Sequence, residues 1–193
     1  MKRLKKLMGA IFVACAAGAI FLCSSFLKRM SEISADTGKG LNGSFEHVAR
    51  GLPVNWFMYT PKTVPNSDFT ISFDPKGAKD GRQSLLFTVK KCSATGGWHS
   101  PGMCYETAAK PGDEFKVSLW VKNKDSKFRV KVAGVSPFRS GDAQTTTLAE
   151  NIWEWRRLDF DCKIPADMNR LRLEVNVLSP GWFWIDNVSI SKK

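Results

Sequence analysis

Past residue 40 the chain alternates between apolar and polar positions with a period of two. In "EFKVSLWVK" (residues 114–122), Phe115, Val117, Leu119 and Val121 fall on one side, and Lys116, Ser118, Trp120 and Lys122 on the other. In "RLRLEVNV" (170–177), Leu171, Leu173, Val175 and Val177 oppose Arg170, Arg172, Glu174 and Asn176. Successive side chains of a strand point to opposite faces, so each segment reads as a strand with one core face and one polar face. Similar short runs recur between Gly, Pro, Asn and Asp, with almost no helical periodicity. They predict strands at 44–49, 55–60, 68–73, 83–91, 102–108, 114–122, 127–135, 144–149, 155–162, 170–178 and 182–190. Many short strands at this spacing predict an all-β sandwich or barrel. Trp120 breaks the rule for polar faces and is therefore either a binding residue or a ring covered by a loop.

The first 40 residues follow another pattern. "MKRLKK" carries four basic residues and is followed by Leu7 to Leu27, 21 residues without a charge. About 20 apolar residues cross a hydrocarbon core, and a basic flank stays cytoplasmic. Residues 1–27 are therefore read as a signal-anchor helix or a cleaved signal peptide, whose apolar region is usually shorter. Either reading exports the rest, to the cell surface or periplasm, tethered or secreted. Residues 28–40 form a polar linker, and residues 41–193 the folded domain.

Net charge is +11, with 29 basic and 18 acidic residues. Six of the basic residues and one acid lie within residues 1–35, so the domain carries a modest excess of +6. That is no nucleic-acid signature, although a basic surface outside a cell attracts acidic polysaccharide. Outside the apolar segment the cysteines are Cys92, Cys104 and Cys162. Cys92 and Cys104 flank one loop and would form a disulfide if two antiparallel strands faced there. No spacing of cysteine and histidine suggests zinc.

Five segments, in order, resemble bacterial carbohydrate-binding modules of families 4, 9 and 22. "LNGSFEHVARGLPVNW" is similar to their opening. "AKDGRQSLLFTV", "KPGDEFKVSLWVKNKD" and "WEWRRLDFDCKIPADMNRLRLEV" resemble three internal segments, and "FWIDNVSI" resembles the closing strand. The resemblance spans about residues 41 to 191. It implies a jelly-roll sandwich of two antiparallel sheets, with first and last strands adjacent and Phe183, Ile185, Val188 and Ile190 closing the core. It places Trp56 and Trp155 in the core and Trp184 at a sheet edge. It also implies a structural calcium ion between Glu46 and Asp186, completed by backbone carbonyls, an oxygen-rich site of the kind that ion takes. Asn187 stands where the family more often has Asp, which removes one charge.

Catalytic signatures are weak. No arrangement of acids picks out a glycosidase pair, no Gly-x-Ser-x-Gly elbow occurs, and the two histidines, His47 and His99, suggest no triad. Sugar binding needs only an aromatic face and planar polar groups. Trp98, in the glycine-rich "TGGWHSPG", is the leading candidate, beside His99. Trp120 and Phe138 follow, with Arg172, Glu174 and Asn176 as hydrogen-bonding partners if their face is the concave one. Arg129 and Lys131 would add basic character suited to acidic sugars. The expectation is an exported, non-catalytic polysaccharide-binding module, membrane-tethered if residues 1–27 stay attached, acting alone or as accessory to a separate glycoside hydrolase. The alternative is a jelly roll that docks protein without binding sugar.

Overall fold

The computed structural model describes residues 40–193; the expected signal or anchor helix and most of the linker lie outside the described residues. Among the described residues thirteen strands form: β1 (Val48–Ala49), β2 (Leu52–Pro53), β3 (Phe57–Tyr59), β4 (Asp68–Asp74), β5 (Ser84–Lys91), β6 (Gly102–Ala108), β7 (Glu114–Lys124), β8 (Phe128–Ser136), β9 (Arg139–Ser140), β10 (Gln144–Leu148), β11 (Ile152–Lys163), β12 (Arg170–Val177) and β13 (Gly181–Lys192). Ten of the eleven expected strands are present with small shifts of their ends. The segment 44–49 is extended only at β1, which pairs with β2 in a small hairpin.

Two antiparallel sheets form the body of the domain. One runs β10-β8-β12-β6-β3, with β9 paired to β8; the other runs β11-β7-β13-β5-β4. From β5 onward the chain mostly crosses from one sheet to the other between strands, as in a jelly roll. The alternation dictates the packing. Leu171, Leu173, Val175 and Val177 of β12 face Phe115, Val117, Leu119 and Val121 of β7 across the interior, and all are buried. Phe45, Phe87, Phe128 and Phe183 fill the layer between the sheets. Each such side chain removed from water contributes about 1.5–3 kcal/mol.

The closing strand explains its own sequence. Phe183 and Ile185 are fully buried, but so is the next residue, Asp186. A bulge between Asp186 and Ser189 shifts the register, with Asn187 at φ 46°. Asparagine tolerates that left-handed conformation better than most residues. The shift returns Val188 to the core. The segment around Gly43 then lies against β13, where Val188 N–H donates to Gly43 O at 2.9 Å. A Cβ on Gly43 would sit 1.9 Å from Val188 O, so this approach requires glycine.

Candidate functional site

The outer face of the β10-β8-β12-β6-β3 sheet carries most of the expected binding residues. Register sets Glu174 of β12 between Lys131 of β8 and Cys104 of β6, Arg172 between Ala133 and Glu106, and Asn176 between Arg129 and Gly102. Directly opposed residues on one face lie within about 5.5 Å at Cβ, so these groups form one continuous surface. Tyr59 of β3 reaches it from the edge.

The 93–101 loop folds over one end of that face. Its short turn, Gly97–His99, follows Gly96 at φ 83° and contains Gly97 at φ 59°. Only glycine adopts such angles cheaply, and a Cβ on Gly96 would lie 1.7 Å from Arg129 Nη2. Asn176, essentially buried, fastens the turn: Gly97 N–H donates to its Oδ1 at 2.9 Å, and its Nδ2 donates to Gly97 O at 3.0 Å. Ser100, also buried, accepts from Gly96 N–H at 2.9 Å and donates to Ser93 O. Trp98 therefore stands 60 % exposed on a backbone that is held from below. His99 covers one face of its indole, with centroids 3.6 Å apart, and leaves the opposite face for a partner.

The polar residues beneath are mostly committed to one another. Tyr59 Oη donates to Glu174 Oε1 at 2.8 Å. Burial pushes the Tyr59 phenol well above its ordinary range, and the neighbouring Cys104 and Glu174 push the same way. Burial likewise pushes the Cys104 thiol up to about 12. Glu106 accepts from Arg172 Nε at 2.6 Å and from Arg170 Nη1 at 3.1 Å. One carboxylate thus holds two guanidinium groups, and with Arg129 and Lys131 the face keeps a net positive charge. Glu106 and Glu174 are both engaged, so no acid–base pair is derived from them.

Several expected placements differ. Trp120 lies on the opposite side of the sandwich, on β7 between Arg157 and Asp186, half-buried beneath Lys79, whose Nζ is 4.0 Å from the ring. It cannot share a site with Trp98. Phe138 is 83 % exposed at the β8–β9 turn, at the end of β8 away from Arg129. Arg129 and Val135 are six positions apart along β8, so the two ends are about 20 Å apart. Trp56 is a core residue as expected, but Trp155 is half-buried on an outer face. Trp184 lies within a sheet, not at its edge, because β13 is flanked by β7 and β5. Cys92 and Cys104 are free thiols, as is Cys162. Cys92 follows β5 and Cys104 lies in β6, strands of different sheets, so no antiparallel pair aligns them.

Glu46 and Asp186 grip the same loop, residues 79–83, without gathering a metal-ligand set. Glu46 Oε1 accepts from Arg82 N–H at 2.8 Å and Gln83 N–H at 3.1 Å, while Oε2 accepts from Arg82 Nε. Asp186 Oδ2 accepts from Lys79 N–H at 2.6 Å and Asp80 N–H at 3.0 Å, while Oδ1 accepts from Asn187 N–H. Burial raises the Asp186 carboxyl despite these bonds, and Asp80 adds to the rise. Burial also works to raise Glu46, but the Arg82 and Gln83 donors outweigh it and hold that carboxyl low. Among the described residues no three His, Cys, Asp or Glu converge on a cation position. Calcium takes six to eight oxygen ligands. Lone pairs already filled by N–H donors fit a hydrogen-bonded clasp, not that ion.

Tyr59, Glu106 and Ser100 escaped the sequence reading. Tyr59 and Glu106 sit at alternating positions of their strands, so period two marks them as outward-facing, but only pairing of β3, β6 and β12 shows that Tyr59 meets Glu174 and Glu106 meets Arg170 and Arg172.

No family model matches the sequence, and no curated protein matches it. Solved structures share the fold. A structure described as CBM4 structure and function is 20 % identical, with a TM-score of 0.57, over 79 % of this chain and 98 % of its own. The CBM22-1 xylan-binding domain from Paenibacillus barcinonensis Xyn10C is 18 % identical, with a TM-score of 0.52, over 78 % of this chain and 91 % of its own. A cyclase from Fischerella sp. TAU is 16 % identical, with a TM-score of 0.58, over 79 % of this chain and 94 % of its own. The architecture is thus that of carbohydrate-binding modules, and an enzyme shares it, so the fold alone does not decide function.

Proposed function

We propose that the domain is a non-catalytic polysaccharide-binding module whose site is the outer face of the β10-β8-β12-β6-β3 sheet beneath the Trp98 loop. One observation carries this reading: Trp98 presents an open indole face on a turn locked by Asn176, above a surface of hydrogen-bonding side chains. Mobile rings lose entropy on binding, and a ring held by its backbone loses less. A pyranose would stack on Trp98 while Lys131 and Arg172 meet its hydroxyls or acidic groups. His99 and Asn176 act as positioning residues, one against the indole and one under the turn. Phe138 stands too far away to share the same sugar unit.

The binding surface is basic, which suits acidic sugars better than neutral ones. The first 27 residues support an exported location, tethered or secreted, where such polymers occur. An accessory role beside a separate glycoside hydrolase is consistent with a module that supplies binding alone. Depletion of the full chain, in non-ionic detergent, by a panel of neutral and acidic polysaccharides tests the proposal. Retention by at least one polymer, weakened in Trp98→Ala without loss of melting temperature, is expected. Retention unchanged by Trp98→Ala, or no retention across the panel, would refute it.

A further inference from the structure

We infer that the opposite side of the sandwich is a second, independent binding surface, for an acidic polysaccharide. On the outer face of the β11-β7-β13-β5-β4 sheet, indole rings and ammonium groups crowd into one end. Register places Trp184 beside Lys122 and Trp182 beside Lys124 on neighbouring strands. Lys122 Nζ lies 4.9 Å from the Trp155 ring and 5.5 Å from Trp184, so the ammonium sits between two indoles. Lys124 Nζ lies 5.0 Å from Trp182. A register shift in β11 between Ile152 and Arg156 brings Trp153 to the same end, where it lines a shallow cleft with Trp184, Lys122 and Lys124.

Charge separates this end from the rest of the sheet. Toward the other end, ion pairs balance the surface: Arg157 with Asp159 along β11, Lys163 with Glu114 across strands, and Lys193 with Asp161. At the tryptophan end, Lys90, Lys122 and Lys124 have no ion-pair partner among the described residues. Three acids share this end: Asp74, which accepts from Trp184 Nε1 at 3.0 Å, and the exposed Asp125 and Glu154; none forms an ion pair with these lysines. Lysines set between aromatic rings and held in no ion pair complement an anionic partner.

The partner's class follows from the remaining side chains. Thr70, Ser72 and Thr88 continue the face across β4 and β5, with the half-buried Leu86 as the one aliphatic residue among them, and Thr70 and Ser72 are exposed. A surface that inserts into a bilayer would carry aliphatic groups there, whereas hydroxyls suit a sugar polymer. Trp155 and Trp184 stand two strands apart, about 10 Å. A uronate or sulfated strand crossing β11, β7 and β13 would place sugar faces on the rings and its charges on Lys122 and Lys124. With the Trp98 face on the other side, one module would hold two polymer strands at once.

This inference does not depend on Trp98, and the test keeps the two faces apart. The full chain, in non-ionic detergent, is run through native gels containing polygalacturonate or its methyl-esterified, uncharged form. Wild type, Trp98→Ala and the double variant Trp153→Ala/Trp182→Ala are compared, each checked for an unchanged melting temperature. Both target rings of the double variant are solvent-exposed, so folding is preserved. Polygalacturonate should retard wild type and Trp98→Ala, and the double variant should bind about tenfold more weakly. The uncharged form should bind this face no better than the double variant binds the acid. Loss of all acidic retardation in Trp98→Ala would leave one surface and overturn the inference while sparing the Trp98 site. Absent acidic retardation, or equal retardation of wild type and double variant, would also overturn it. Tryptophan-dependent binding to phosphatidylglycerol vesicles in place of polygalacturonate would reassign the face to lipid.

Discussion

Asn176 offers a decisive perturbation because it should matter for binding without touching ligand. Asn176→Ala removes both hydrogen bonds that fasten Gly97, at 2.9 and 3.0 Å. Each net hydrogen bond contributes about 1 kcal/mol, and Gly97 is only half-buried, so water recovers part of the unsatisfied cost. The expected loss is about 2 kcal/mol. For a domain of this size that lowers the melting temperature by about 4–8 °C. Freed of its clamp, the 97–99 turn samples other positions and Trp98 loses its fixed stacking face, so affinity should fall about tenfold or more. Asn176→Asp keeps one acceptor for Gly97 N–H but faces Gly97 O with a second oxygen, so it should fall between. Thermal unfolding and polysaccharide binding are measured on the same preparations, with Trp98→Ala as the variant that weakens binding but keeps stability. If Asn176→Ala melted within about 1 °C of wild type, or bound polymer equally well, the clamp account would be wrong.

Further predictions concern the clasp and the thiols. Asp186→Asn removes a buried charge but turns an amide toward backbone donors, and should cost about 1–3 kcal/mol at neutral pH by urea unfolding. Because burial raises the Asp186 carboxyl in the fold, the charged form opposes folding, and protonation relieves that. The advantage of wild type over Asp186→Asn should therefore grow as pH falls from 7 toward 4; a constant or shrinking gap would contradict the assignment. Calcium at millimolar concentration should leave the melting temperature within about 1 °C, and a rise of several degrees would show a bound ion that the clasp does not explain. Peptide mapping under non-reducing conditions should find Cys92 and Cys104 unlinked, with Cys104 alkylated more slowly because it is buried and its thiol is pushed up to about 12. A Cys92–Cys104 cross-link would contradict the separation of β5 and β6 into two sheets.

Alternation made the strands legible, because burying one side of a sheet requires it, and the faces of β7 and β12 can be read directly from their residues. Trp98 was legible as a tryptophan in a glycine-rich loop with no apolar pattern around it. What the pattern could not reveal was pairing. Whether Trp120 joins Trp98 depends on which sheet takes β7, and β7 pairs β11 and β13 on the far side. Glu174 and Asn176 were picked out as ligand groups, yet their bonds to Tyr59 and Gly97 arise from residues 79 to 115 positions away in sequence. The tryptophan–lysine end of the second sheet shows the same limit. "WFW" and "WVKNK" each alternate outward, but only the β13–β7 register, with Lys122 beside Trp184, makes them one surface. Glu46 and Asp186 bind the same 79–83 loop through backbone N–H donors that no pattern along the chain marks.

Oxidative footprinting of the full chain with and without its bound polysaccharide tests the central claim directly. Trp98, 60 % exposed, should oxidise readily in the free protein and be protected on binding, while Phe138 changes little. Oxidation of Trp98 at the same rate with saturating polymer would place the sugar elsewhere and contradict the account.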